Sequence, residues 1–156
     1  MNIFAFTGLL IWAGLIIYFD LRFRRIPNVL SVGGILVALL ILMLTGETLT
    51  NGSSYSAFYG FLLAMLLTAP GYMMRRLGAG DVKLLAAIGL VSDWKALLVT
   101  YVLASLLSLC ALLVQNRLRM VNSDPFTSNR QFPIGAMFAI AFIAVYQHHY
   151  LMVRIA

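Results

Sequence analysis

Long uncharged apolar stretches, parted by short clusters of positive charge, constrain this chain more than any other feature. Ile3–Phe19 holds 17 residues without a charge, and Val29–Leu44, Tyr55–Met74 and Ala96–Val114 are runs of the same kind. A further run opens at Phe132, reaches Gln147 and continues through His148 and His149 to Val153. Seventeen residues of helix rise about 25 Å at 1.5 Å per residue, close to the thickness of a bilayer core. Leu84–Val91 has only eight residues and cannot span alone, but with its flanks it suits a short helix that starts inside the membrane boundary. A chain that is 62% hydrophobic and 10% charged is too apolar for an ordinary soluble domain. The expected fold is therefore all-α and polytopic, a single domain over residues 1–156 with six membrane segments, the fourth short. Pro70 and Gly71 are expected to kink or fray the end of the third.

The positive charges then fix an expected orientation. The loops at 20–28, 71–83 and 115–131 hold Arg22, Arg24, Arg25, Arg75, Arg76, Lys83, Arg117, Arg119 and Arg130. The alternate loops hold only Lys95 and Arg154, so the division is nine against two. Lys and Arg concentrate on the cytoplasmic side of membrane proteins, which puts the first set in the cytoplasm and both termini outside it. The alternation holds only when the short fourth segment counts as a crossing. Met1–Phe19 carries no Lys or Arg, so it reads as a first membrane helix rather than a cleavable signal. The net charge of +6 is spread among loops with no basic stripe, which fits topology and anionic lipid and not nucleic acid. Cys110 is the single cysteine, which excludes an internal disulfide and leaves it as a small packing residue. His148 and His149 are adjacent and point about 100° apart on a helix, so no metal site is expected, and no cofactor.

Against this background the placing of the five acids matters. Asp20 closes the first apolar run, and Asp81 stands just before Leu84–Val91, on the same expected side. A carboxylate in such a position costs free energy and usually serves a purpose. Two carboxylates a few Å apart share a proton, because both cannot ionise cheaply. One then takes a proton from water while the other donates to a peptide carbonyl, which is hydrolysis without metal or covalent intermediate. Each acid also has a plain structural reading: Asp20 paired with Arg22, Arg24 or Arg25, and Asp81 as an N-cap. Gly78 and Gly80 flank Ala79 immediately before Asp81 and permit close approach of another backbone, such as an extended scissile peptide, or form a simple turn.

Two blocks carry a resemblance to a known family. Asp20-Leu21-Arg22-Phe23-Arg24-Arg25-Ile26-Pro27-Asn28 and Gly78-Ala79-Gly80-Asp81-Val82-Lys83-Leu84 resemble the D-x-x-x-x-x-I-P-N and G-x-G-D-V-K-L blocks of the type IV prepilin peptidases, which are GxGD aspartic membrane proteases. Phe132-Pro133-Ile134-Gly135 resembles the Pro/Gly opening of that family's last helix. The resemblance implies that Asp20 and Asp81 are the catalytic pair. It also implies a prepilin substrate with a short basic leader, cut after a glycine at the cytoplasmic membrane face. The cysteine-rich insert and methyltransferase region of the full-length family form have no counterpart here, so N-methylation is not expected. The short form resembles the peptidase-only members of Tad/Flp pilus systems, with the bacterial inner membrane as its place and pilus assembly machinery as a further partner.

Around the pair stand lesser candidates. Lys83 either positions substrate, binds a lipid phosphate or snorkels as a topology charge. Pro27 and Asn28 start the second helix. Pro133 and Gly135 either bring the sixth helix to the acids or simply begin it. The Gly78–Gly80 stretch and the loop at 115–131 are expected to move to admit substrate, and Trp12 and Trp94 to sit in an interfacial belt. A reading of another class is a small carrier or assembly scaffold that uses the acids as proton or cation sites, and a second enzymatic one is a peptidase for archaeal-type preflagellins.

Overall fold

The computed structural model describes residues 3–75, 77–122 and 133–155. Arg76 and the residues from 123 to 132, including Asp124, Pro125, Arg130 and Phe132, lie outside the described residues, as does the side chain of His149. Among the described residues six helices follow one another: α1 (Ile3–Phe23), α2 (Asn28–Thr45), α3 (Ser54–Met73), α4 (Ala79–Val91), α5 (Trp94–Asn122) and α6 (Ile134–Ile155). No strand forms among the described residues beyond one isolated bridge, Glu47 to Ser53, which closes the loop between α2 and α3. Among the described residues four helices, α1, α2, α3 and α5, are long and apolar enough to cross a membrane, which is compatible with a membrane protein.

The helices overrun the apolar stretches that seed them, because the backbone ladder does not stop at the first polar side chain. Asp20 therefore lies inside α1, one turn before its end, and not in the loop beyond it. Residues 115–122, expected in a loop, are the last turns of α5, and the remainder of that expected loop lies outside the described residues. Pro70 forfeits one ladder bond but neither breaks nor ends α3, which runs on to Met73. Gly46, at φ 72°, closes α2 by donating its N–H to the Leu42 carbonyl, a left-handed ending that glycine adopts without steric cost.

Architecture centres on α4, the shortest helix. Every residue from Leu84 to Val91 is buried, and α2, α3, α5 and α6 all pack against this helix. A helix that is apolar all round belongs in an interior, and here the interior is other helices. α3 meets it with a face of small residues, Ala57, Gly60 and Ala64, all buried. At Gly60 and Gly89 the two backbones nearly touch: a Cβ built on Gly60 would lie 2.5 Å from the Gly89 carbonyl oxygen, and one on Gly89 would lie 2.6 Å from that of Gly60. On α1, Leu9, Ala13 and Ile16 form the buried stripe at helical spacing. Phe6 stacks on Tyr146 and Tyr150 of α6, with ring centroids 5.5 and 4.2 Å away.

Two expectations fail for reasons of depth and facing. Trp12 is not in a belt. It lies midway along α1, donates its indole N–H to the Leu30 carbonyl at 3.0 Å and meets Phe142 edge-on. Cys110 is exposed on α5 rather than packed, since it falls on the outward face with Leu106 and Leu113. Trp94 is exposed at the start of α5, with the Lys95 ammonium 5.7 Å from its ring centroid.

Candidate active site

Three chain segments meet at one end of the bundle: the last turn of α1 with the turn after it, the start of α4, and the start of α6. Asp20 comes from the first. Its side chain is buried, 5% exposed, and its Oδ2 accepts the Ala136 backbone N–H at 2.6 Å, across 116 residues of sequence. Ala136 sits in the first turn of α6, where backbone N–H groups have no partner inside the helix and seek one outside. The carboxylate of α1 thus satisfies an end of α6.

Asp81 comes from the second segment. Gly78, extended at φ −76° and ψ 152°, is the N-cap of α4, and Ala79 and Gly80 are already helical. Gly78 to Gly80 is therefore the opening of a helix and not a turn between helices. Nor is Asp81 the cap itself. It is the third helical residue, and its Oδ2 reaches back to accept the Gly78 N–H at 3.1 Å. Gly80 packs on Ile26, whose Cβ would be 3.4 Å from an added side-chain atom. Asp81 stands ahead of the apolar stretch Leu84–Val91.

Gly135 of the third segment lies between the two acids. A Cβ on this residue would be 3.0 Å from Asp81 Oδ1, 3.2 Å from Asp20 Oδ2 and 2.5 Å from Ile26 Cδ1. The two carboxylate oxygens are thus within roughly 6 Å of each other, inside the range where like charges disturb one another's ionisation.

A cleft of about 510 Å³ opens over this junction. Both carboxylates, Gly78 and Gly80 line it, with Ile26, Leu77 and Ile134 as its apolar part. Arg24, Arg25 and Arg75 line it as well. The sequence offered Arg24 and Arg25 as topology charges or as partners of Asp20, and Arg75 as a topology charge alone, with no cleft in view. Arg24 and Arg75 both hold left-handed backbone, φ 53° and 55°, at the ends of α1 and α3. Such conformations are uncommon for residues with side chains and gather at functional sites. Arg24 is near enough for its charge to bear on Asp20.

The other expected site residues fall outside the cleft. Lys83 donates from Nζ to Asn28 Oδ1 at 3.0 Å, which ties α4 to the first residue of α2. Pro27 is the residue before α2, and Pro133 the residue before α6. These three and Asn28 support the helix ends and do not line the cleft. The Ala136 N–H was not foreseeable, since a backbone donor carries no mark in the sequence.

Comparison with known proteins adds one finding. The sequence model of the type IV leader peptidase family matches residues 7–113, a span that contains Asp20 and Asp81 and ends before Gly135. No curated protein and no solved structure matches the chain.

Proposed function

The chain belongs to the type IV leader peptidase family, and from that footing we propose that it is an aspartic endopeptidase whose catalytic pair is Asp20 and Asp81. One observation carries the reading: two carboxylates from different helices, remote in sequence, converge on Gly135 in a cleft large enough for an extended peptide. One carboxylate takes a proton from water as its oxygen adds to the scissile carbonyl carbon. The other, protonated, gives its proton to the carbonyl oxygen. Collapse of the tetrahedral species then breaks the C–N bond, and the amine leaves with a proton.

The proposed substrate is a type IV prepilin of the Flp class with a short basic leader, cut after a glycine, in a Tad-type pilus system whose assembly machinery receives the product. The chain is a single peptidase domain over residues 1–156, set in the bacterial inner membrane among its lipids. Gly78 and Gly80 leave room for the peptide backbone, while Lys83, Asn28, Pro27 and Pro133 hold the helix ends that carry the acids. All six helices cross the membrane. The short length of α4, about 20 Å for 13 residues, suits a crossing surrounded by protein rather than by lipid. Nine basic residues against two favour a cytoplasmic active site and termini on the far side.

Purified protein in detergent, incubated with a Flp-type prepilin, is expected to shorten it by its leader, and N-terminal sequencing of the product is expected to show cleavage after the glycine. An unprocessed prepilin, with the enzyme shown to be folded, would remove the protease assignment. The orientation has its own check. In a Cys110→Ala background, Thr50→Cys is expected to react with a membrane-impermeant maleimide added outside intact cells, and Arg25→Cys only after the cells are opened. The reverse pattern inverts the topology.

A further inference from the structure

A second groove, of about 420 Å³, runs between α1 and α2. It exists because α1 packs against α6 while α2 packs against α4. Trp12 crosses from one helix to the other, with its indole N–H on the Leu30 carbonyl, and makes the floor together with the buried Val91 of α4. Among the described residues the lining carries no charge. On α2, Val29, Gly33 and Val37 recur at every fourth residue and so share one face. On α1, Phe4, Gly8 and Trp12 do the same. Each wall thus has a glycine at its middle, with a larger residue one turn above and below. Neither glycine serves packing within the chain in the way that Gly60 and Gly89 do. A Cβ on Gly34 would lie 2.7 Å from the Trp12 ring, whereas one on Gly8 or Gly33 meets nothing within 4 Å. Small residues in membrane helices let another helix come close, and here that place is open.

One end of the groove adjoins the cleft. Arg25 and Ile26, in the turn between α1 and α2, line the cleft, and Val29, three residues on, lines the groove. Leu49, beyond α2, and Val91, at the close of α4, mark the far end. The length between is that of α2, 18 residues or about 27 Å, near the thickness of a bilayer core. A substrate cut at the membrane face continues into the bilayer, where its chain is apolar and helical. We infer that this groove is the docking site for the membrane helix that follows the scissile bond of the prepilin, seated on Gly8 and Gly33 with its leader end unwound across Asp20 and Asp81. A lipid acyl chain also suits an apolar surface, but a thin, flexible chain gains nothing from a bare Cα in the middle of each wall. A helix about 10 Å across does. The inference rests on the proposed peptidase function and adds to it the way the substrate is held.

The test is Gly33→Phe, purified in detergent beside wild type and beside Val102→Phe, which puts a ring on the exposed face of α5 instead. On a full-length Flp-type prepilin, Gly33→Phe is expected to raise KM by about tenfold or more with kcat within about threefold, because it removes binding made alike in the ground and transition states. Val102→Phe is expected to match wild type. A KM for Gly33→Phe equal to that of wild type overturns the docking site. A second measurement stands even if Gly33→Phe fails to fold. In the Asp81→Asn protein, p-benzoylphenylalanine in place of Val37 is expected to cross-link to the prepilin on irradiation, and the same group in place of Val102 is not. Cross-links from residue 37 to lipid alone, or to a second copy of this chain alone, overturn the inference. Failure of the peptidase reading looks different: wild type then leaves the prepilin uncut. Cleavage by wild type, with an unchanged KM in Gly33→Phe and no prepilin cross-link from residue 37, overturns the groove alone.

Discussion

Asp20→Asn and Asp81→Asn, each made alone and co-expressed with a Flp-type prepilin, are expected to leave the prepilin at full length while wild type converts it to the mature form on a gel. The exchange is nearly isosteric. Asparagine still offers an acceptor to the Ala136 N–H in one case and to the Gly78 N–H in the other, so both variants keep the hydrogen bonds that hold the site. What they lose is a proton that can be taken or given. A single general acid or base contributes about 10²–10⁴-fold, and in the proposed mechanism the two acids act on one water and one carbonyl, so neither retains its use without the other. The double variant is accordingly expected to be no slower than either single one, because residues that work as a unit do not add. Processing by both single variants at normal levels of folded protein would sink the dyad and return the carrier or scaffold as the better account of the two acids.

The second large effect concerns the fold. Gly60→Leu or Gly89→Leu is expected to cost the protein its assembly, read as loss of the monodisperse peak in detergent and a fall in melting temperature. Even one carbon at either position would lie 2.5–2.6 Å from a backbone carbonyl oxygen of the facing helix. A flexible side chain can move aside, but a backbone cannot without moving its helix. Overfilling a packed core costs about 1–3 kcal/mol where the surroundings yield, and alanine belongs at that end of the scale. Leucine drives α3 and α4 apart along a face that is otherwise small residues, and α4 carries Asp81. Alanine at residue 33 is the control, because a Cβ there meets nothing within 4 Å. A Gly89→Leu protein as stable as wild type would mean that the close crossing of α3 and α4 is wrong.

How much of this was readable beforehand differs from element to element. The six helical segments and the paired acids were legible, because long apolar runs have few other outcomes and because a carboxylate beside one stands out. The helix ends were less so: Asp20 lies within α1 and residues 115–122 within α5, since a ladder that has begun in an apolar run continues past the first charge. The Gly78–Gly80 strip was expected to move to admit substrate or to form a simple turn, yet Ala79 and Gly80 are helical, with the Gly78 N–H donating to Asp81 Oδ2 and Leu84–Val91 buried behind them. Arg24, Arg25 and Arg75 had an explanation as topology charges, which hid their place on the cleft. Residues at a membrane edge serve both ends, and a count of charges cannot separate them. Least legible was the part played by the start of α6, which meets Asp20 through a backbone N–H.

The order in which the chain is made gives the buried α4 a further meaning. By the time a nascent chain reaches Val91 it has α2 and α3 to lay against this helix, but α5 and α6 do not yet exist. Leu85, Ile88 and their neighbours are then only partly covered, and Asp20 still lacks the donor at Ala136. Asp20 therefore comes under its final restraint only as α6 docks, while Asp81 already has its hydrogen bond from Gly78. On the proposed function, cleavage of a prepilin waits for α6 to be in place.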